Sequence, residues 1–142
     1  LKNVNVASYV IVYHSQAGNI IFSGDSEDET WDYILKHFKS SVENAAVLFA
    51  PHHGRDSDRN WAFLDVVRPR ISFLGNAKSE HLAYSAWRDR DLIYFTNNQC
   101  GDIVIDFVKD KVVASISNPI FANEYTKGQT WEINGNWFLL EC

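Results

Sequence analysis

An aspartate behind a glycine at 24–25, a His-His-Gly run at 52–54 and a single histidine at 81 are the residues whose types and placement could do chemistry. Each follows a short apolar run that reads as a buried strand, and strand ends line the ligand-binding edge of layered α/β folds. Gly24 lets the backbone turn sharply and presents Asp25 at a strand tip. A carboxylate there can bridge two divalent cations, or simply cap the helix that follows. His52 and His53 are adjacent, so their rings point in different directions. One can bind metal while the other packs or hydrogen-bonds; the plainer alternative is a polar loop with two ordinary histidines. His81 opens a helical segment, where a lone histidine is structural or exposed as readily as it is a ligand. Arg55, one residue past the glycine, can hold a phosphate through a bidentate contact or stand as a solvated loop charge. His14, at a strand end, and His37, on a helix flank, are assigned to structure.

The elements that must position these groups are legible from periodicity. Residues 8–14 and 20–22 are β-branched and apolar around a Gln16-Ala17-Gly18-Asn19 turn, which predicts a hairpin. Ser26 and Glu29 suggest a capping box, and Trp31, Ile34, Leu35 and Phe38 give an apolar face to a helix over 27–39. A strand over 46–50 is stopped by Pro51. Asp58 is expected to cap a second helix over 58–67, ended by Pro69. A strand at 71–74, a helix at 82–90 and strands at 92–95, 102–107, 112–116, 131–133 and 137–140 complete the reading. An Asn-Gly-Asn turn joins the last two strands. Strands alternating with helices in the middle and pairing locally at both ends suit a mixed sheet with helices packed on it. The fold class expected is therefore α/β of the layered α+β kind.

The bulk composition agrees with a packed domain. Among 142 residues, 46% are hydrophobic and 14% aromatic, which excludes a disordered chain. The net charge of −5 gives no general attraction for nucleic-acid phosphates, although bound divalent cations or a basic partner can supply it. No apolar run is long enough to span a bilayer. The first seven residues carry no signal core, and Leu1 reads as an internal residue of a longer protein or of a processed one. Cys100 and Cys142 lack a CxxC partner, so they are expected as free thiols in a reducing cytoplasm, with a single long-range disulfide as the alternative. Trp31 and Trp61 fall on helix faces and are expected in the core rather than as base-stacking platforms.

Taken in order, these motifs resemble the C-terminal half of the metallo-β-lactamase-fold hydrolase domain of the competence (DNA-uptake) protein family. That family runs from a strand ending in Gly-Asp, here Gly24-Asp25, through a helix and strand to a His-His-Gly loop, here His52-His53-Gly54. A helix with a Phe-Leu pair and an Arg-Pro-Arg stop follows, here Phe63-Leu64 and Arg68-Pro69-Arg70. Next come a strand and a further histidine, His81, and then a strand, a threonine and a Gly-led strand, here Thr96 and Gly101. The resemblance covers residues 8–107, leaving 108–142 as terminal strands or an extension of a single domain or domain half. Three positions depart from the family pattern. Arg55 stands for a serine, Leu82 for a proline, and the family's N-terminal His-x-His-x-Asp-His cluster is absent from the 24 residues before Asp25.

The resemblance implies half of an αββα sandwich, with a mixed sheet carrying helices on one face and an apolar face left for a partner. It implies two divalent ions, zinc or manganese, in the complete protein, with Asp25, His52, His53 and His81 among the ligands and Asp25, His52 and His53 in catalysis. Metal-activated water would then attack a phosphodiester, with Arg55 on the phosphate. The missing ligands would come from an N-terminal half or another chain. An inactive half-fold that binds a partner, or a hydrolase of a small ester, lactone or cyclic nucleotide, are the other classes this sequence admits.

Overall fold

Alternating β-branched and aromatic residues build two sheets. The computed structural model describes residues 3–142. The first sheet contains β1 (Ile11–Ser15), β2 (Gly18–Phe22), β3 (Val47–Phe49), β4 (Ile71–Leu74) and β5 (Tyr94–Thr96), hydrogen-bonded in that order. β1 and β2 form the expected hairpin, antiparallel with Ile11 opposite Phe22, while β2, β3, β4 and β5 run parallel. The second sheet is antiparallel, with β6 (Ile103–Val108), β7 (Lys111–Ile116), β9 (Asn136–Glu141) and β8 (Glu132–Ile133) in spatial order. Among the described residues, six α-helical segments lie between the strands: α1 (Asp28–His37), α2 (Lys39–Val42), α3 (Leu64–Val67), α4 (Tyr84–Arg88), α5 (Asn97–Cys100) and α6 (Pro119–Tyr125). The fold is α+β with a mixed sheet, as the periodicity predicts.

Two apolar clusters lie on the two faces of the first sheet. On one, Ile21, Leu48 and Leu74 pack with Trp31 of α1, Val42 of α2, Leu64 and Val67 of α3, and Ala86 and Trp87 of α4. On the other, Ile20, Val47, Ile71, Phe73 and Phe95 meet Val112, Ala114 and Ile116 of β7, Leu139 of β9 and Ala122 of α6. This corrects the expectation of a bare second face. Residues 103–142 supply a sheet of their own that covers most of it, because the period-2 pattern of β7 places Val112, Ala114 and Ile116 inward together. Coverage stops short at one side, where Tyr13, Phe22 and Phe107 remain exposed.

Two helix expectations are revised. The segment expected to be helical over 58–67 forms only the single turn α3, because Asp58 (φ 57°) and Trp61 (φ 58°) adopt left-handed backbone conformations that no α-helix admits. Residues before α3 instead fold back on α1: the Asn60 N–H donates to the Asp28 carboxylate (3.1 Å), and Phe63 stacks on Trp31 with ring centroids 4.0 Å apart. Trp61 packs against Trp87 at 5.0 Å, so both Trp31 and Trp61 are core residues as expected. The N-cap of α1 is Glu27, not Ser26, and its N–H donates to the Thr30 hydroxyl (3.3 Å) in place of the Ser26–Glu29 pairing. Asn118 caps α6, a helix the strand-like reading of this region missed, by accepting from Ile120 and Phe121 N–H. The two cysteines are free thiols, Cys100 buried and Cys142 half-buried.

Candidate functional site

Parallel strands end at the same edge, and that edge collects the loops singled out above. The chain leaves β2 into Gly24-Asp25, β3 into a 3-10 turn at Pro51–Gly54, and β4 into the loop that reaches His81. Backbone hydrogen bonds lock these loops together. The His52 N–H donates to Gly24 O (2.9 Å), Gly75 N–H to His53 O (3.0 Å), Ala83 N–H to Gly54 O (2.9 Å) and Asp56 N–H to His81 O (2.7 Å). Arg55 and Leu82 form an isolated antiparallel bridge within the same junction.

The His-His-Gly loop depends on an unusual backbone. His52 (φ 50°, ψ 42°), His53 (φ 59°, ψ 15°) and Gly54 (φ 75°) follow one another in left-handed conformations. Such strain on side-chain-bearing residues persists only where the surroundings over-determine it, and it clusters at functional sites. Gly54 is required twice over, by its φ and because a Cβ there would lie 2.5 Å from Leu74 Cγ. At Gly75 a Cβ would collide with the His53 side chain, so that glycine is what lets the imidazole sit against the end of β4.

Within this frame the sites differ. Asp25 is exposed and is not a helix cap, since Glu27 holds that position. The buried hydroxyls of Ser23 and Ser26 flank it and find no partner among the described residues. His53 is exposed and lines a cleft of about 390 Å3 with Phe49, Phe73, Asn97 and Asp102. His52 is half-buried, and its Nδ1 lies 3.2 Å from an Arg59 guanidinium nitrogen. His81 has a side chain 51% exposed, with Nε2 3.5 Å from Glu80 Oε1. Arg55 is exposed, and its carbonyl accepts from Ser57 Oγ. His14 bonds Asn19 across the first hairpin and His37 packs on Tyr33, in keeping with structural roles.

Shared loops do not make a shared ligand set. Among the described residues, no three His, Cys, Asp or Glu side chains converge as a metal ion would require. Asp25, His52, His53 and His81 emerge from one edge without forming such a three-donor cluster by themselves.

The residue missed by sequence reasoning is Arg59. Its side chain is 2% exposed and reaches both loops. It donates from Nε to Ser26 O (3.0 Å), from one terminal nitrogen to Asp25 O (3.1 Å) and Glu27 Oε1 (3.0 Å), and from the other to His52 Nδ1 and Ser57 Oγ. No local spacing signals this role, because its partners at 25–27 lie more than 30 positions away in sequence. Asn97 and Asp102 share the cleft with His53; the sequence marks Asp102 only as the start of a strand and assigns Asn97 to no element. No known protein-family profile matches the chain, and no curated protein is significantly similar to it.

Proposed function

We propose that this chain is the C-terminal part of a metal-dependent hydrolase of the metallo-β-lactamase fold, acting on a phosphodiester such as nucleic acid. The observation that carries the reading is the backbone interlock of the Gly24-Asp25, His52-His53-Gly54 and His81 loops at the C-terminal edge of β2, β3 and β4. A folding motif that needed only polar loops would not require three consecutive left-handed residues there. Two zinc or manganese ions would supply the activated water; their remaining ligands belong to a His- and Asp-rich segment outside these residues. This chain's own groups bind and orient: Asp25 offers an exposed carboxylate, His53 an imidazole facing the cleft, and Arg55 an exposed guanidinium for phosphate.

The second reading, a non-catalytic module that packs against a partner, is favoured by a different observation. Tyr13, Ile20, Phe22, Phe49, Ile105 and Phe107 line an apolar opening of about 350 Å3 where the second sheet ends before the first does. One comparison separates the two. Metal content and hydrolysis of bis(p-nitrophenyl) phosphate are measured for this chain alone and for a longer protein carrying the N-terminal half. The hydrolase reading expects activity in the longer protein only, lost at least as severely with Asp25→Asn as the roughly 10–100-fold that outer-shell partners cost. An inactive longer protein, or one indifferent to Asp25→Asn, overturns it.

A further inference from the structure

We infer that Arg59 is a positioning residue that fixes His52 as an Nε2–H hydrogen-bond donor and so removes it from the set of metal ligands. The inference rests on the hydrolase reading for its purpose, not for its geometry. A guanidinium can only donate, so the nitrogen it meets must carry the lone pair. With Arg59 3.2 Å from His52 Nδ1, the ring proton belongs on Nε2. Metal-binding histidines show the reverse arrangement: they donate their second N–H to a carboxylate or carbonyl, which frees the other nitrogen's lone pair for the ion. Here the only lone pair of the neutral ring is already committed to a cation.

Arg59 is placed to hold this state. Its side chain is almost fully buried, and its remaining donors go to the Asp25 and Ser26 carbonyls, the Ser57 hydroxyl and the Glu27 carboxylate. The same guanidinium therefore sets the distance between the Asp25 loop and the His52 ring. A planar fork with five donors can span these partners, and a lysine ammonium cannot. His52 is then suited to donate to an anionic oxygen, and His53, whose ring faces the cleft and lies against Gly75, is the histidine left for a metal.

Long-range 1H–15N correlation of the uniformly 15N-labelled chain tests this without any turnover. The expected spectrum shows His52 as a single Nε2–H tautomer, its Nδ1 shifted upfield from a free pyridine-type nitrogen by the bond it accepts. In Arg59→Lys and Arg59→Gln that upfield shift is lost and the resonances move toward tautomer averaging. A protonated Nδ1 in the unaltered chain overturns the inference, and that spectrum decides it even where neither variant folds. Zn2+ is then added to the unaltered chain. The His52 Nε2–H signal is expected to persist while His53 moves; zinc on His52 Nε2 overturns the inference. Zinc that perturbs neither ring leaves the tautomer assignment standing, because the hydrolase reading places the remaining metal ligands outside this chain.

Discussion

At the scale of single residues, the site is made by exceptions to ordinary backbone chemistry. Gly54 tolerates a φ of 75° that costs other residues energy, and it leaves room for Leu74. Gly54→Ala is therefore expected to destabilise the chain by about 1–3 kcal/mol, the usual range for a strained backbone plus a collision that must be relieved. Urea denaturation measures it, and a change below the error of the midpoint would show that the loop is looser than its hydrogen bonds imply. Cys100 makes a second prediction. It is buried in the inter-sheet cluster, and burial pushes its thiol up from 9.0 to about 12. The folded state keeps this proton after the unfolded chain has lost its own, so the unfolded state binds fewer protons above about pH 9. Stability is full below that pH and falls as pH rises toward about 12. Burial raises Tyr84, Tyr125 and Cys142 in the same direction. Denaturation midpoints at pH 7 and pH 10 check the sign, and iodoacetamide in the native state should label half-buried Cys142 before Cys100.

Among the elements, the segment before α3 shows how tertiary contacts override local propensity. Asp58, Trp61, Phe63 and Leu64 read as a capped amphipathic helix, yet only Leu64–Val67 forms a turn. Trp61 and Phe63 gain more by joining the aromatic cluster with Trp31 and Trp87 than a marginal helix offers. Trp31→Ala removes the buried ring at one end of that cluster and is expected to cost about 3–5 kcal/mol. It should also loosen the 58–63 segment, because the Phe63 ring loses the surface on which it stacks. Hydrogen exchange of Asn60 and Leu64 N–H, which bond Asp28 and Trp61 O, would reveal this. Exchange as slow as in the unaltered chain would mean that the Arg59 contacts hold the segment without the aromatic stack.

On the scale of the whole molecule, the second sheet decides what is left open. It buries Val47, Ile71, Phe73 and Phe95 but ends at β6, leaving Tyr13 56%, Phe22 43% and Phe107 40% exposed around the apolar opening. Exposed apolar patches of this kind mark interaction surfaces. The Phe22→Ser, Phe107→Ser double variant should bind less anilinonaphthalene sulfonate than the unaltered chain. It should lose little stability, since neither ring is buried. Unchanged dye binding would place the accessible apolar surface elsewhere. Among the described residues no helix is long and apolar enough to cross a membrane.

The sequence by itself determined the strands, the hairpin at each end, the long helix α1 and the order in which Asp25, His52, His53 and His81 follow strands. Those features are local: period-2 and period-3.6 patterns and turn residues report on backbone preference within a few positions. What it could not determine were the partners of residues far apart along the chain. The coverage of the first sheet by residues 103–142 and the path of 58–63 were decided by packing. So was the burial of Arg59 between two loops, because a hydrogen bond from position 59 to position 25 leaves no periodic trace. Sharing of one sheet edge by the candidate residues follows from parallel strand order. Among the described residues, the lack of a three-donor cluster, and the turn of His52 toward Arg59 and of His53 toward the cleft, follow from side-chain directions that only the folded chain fixes.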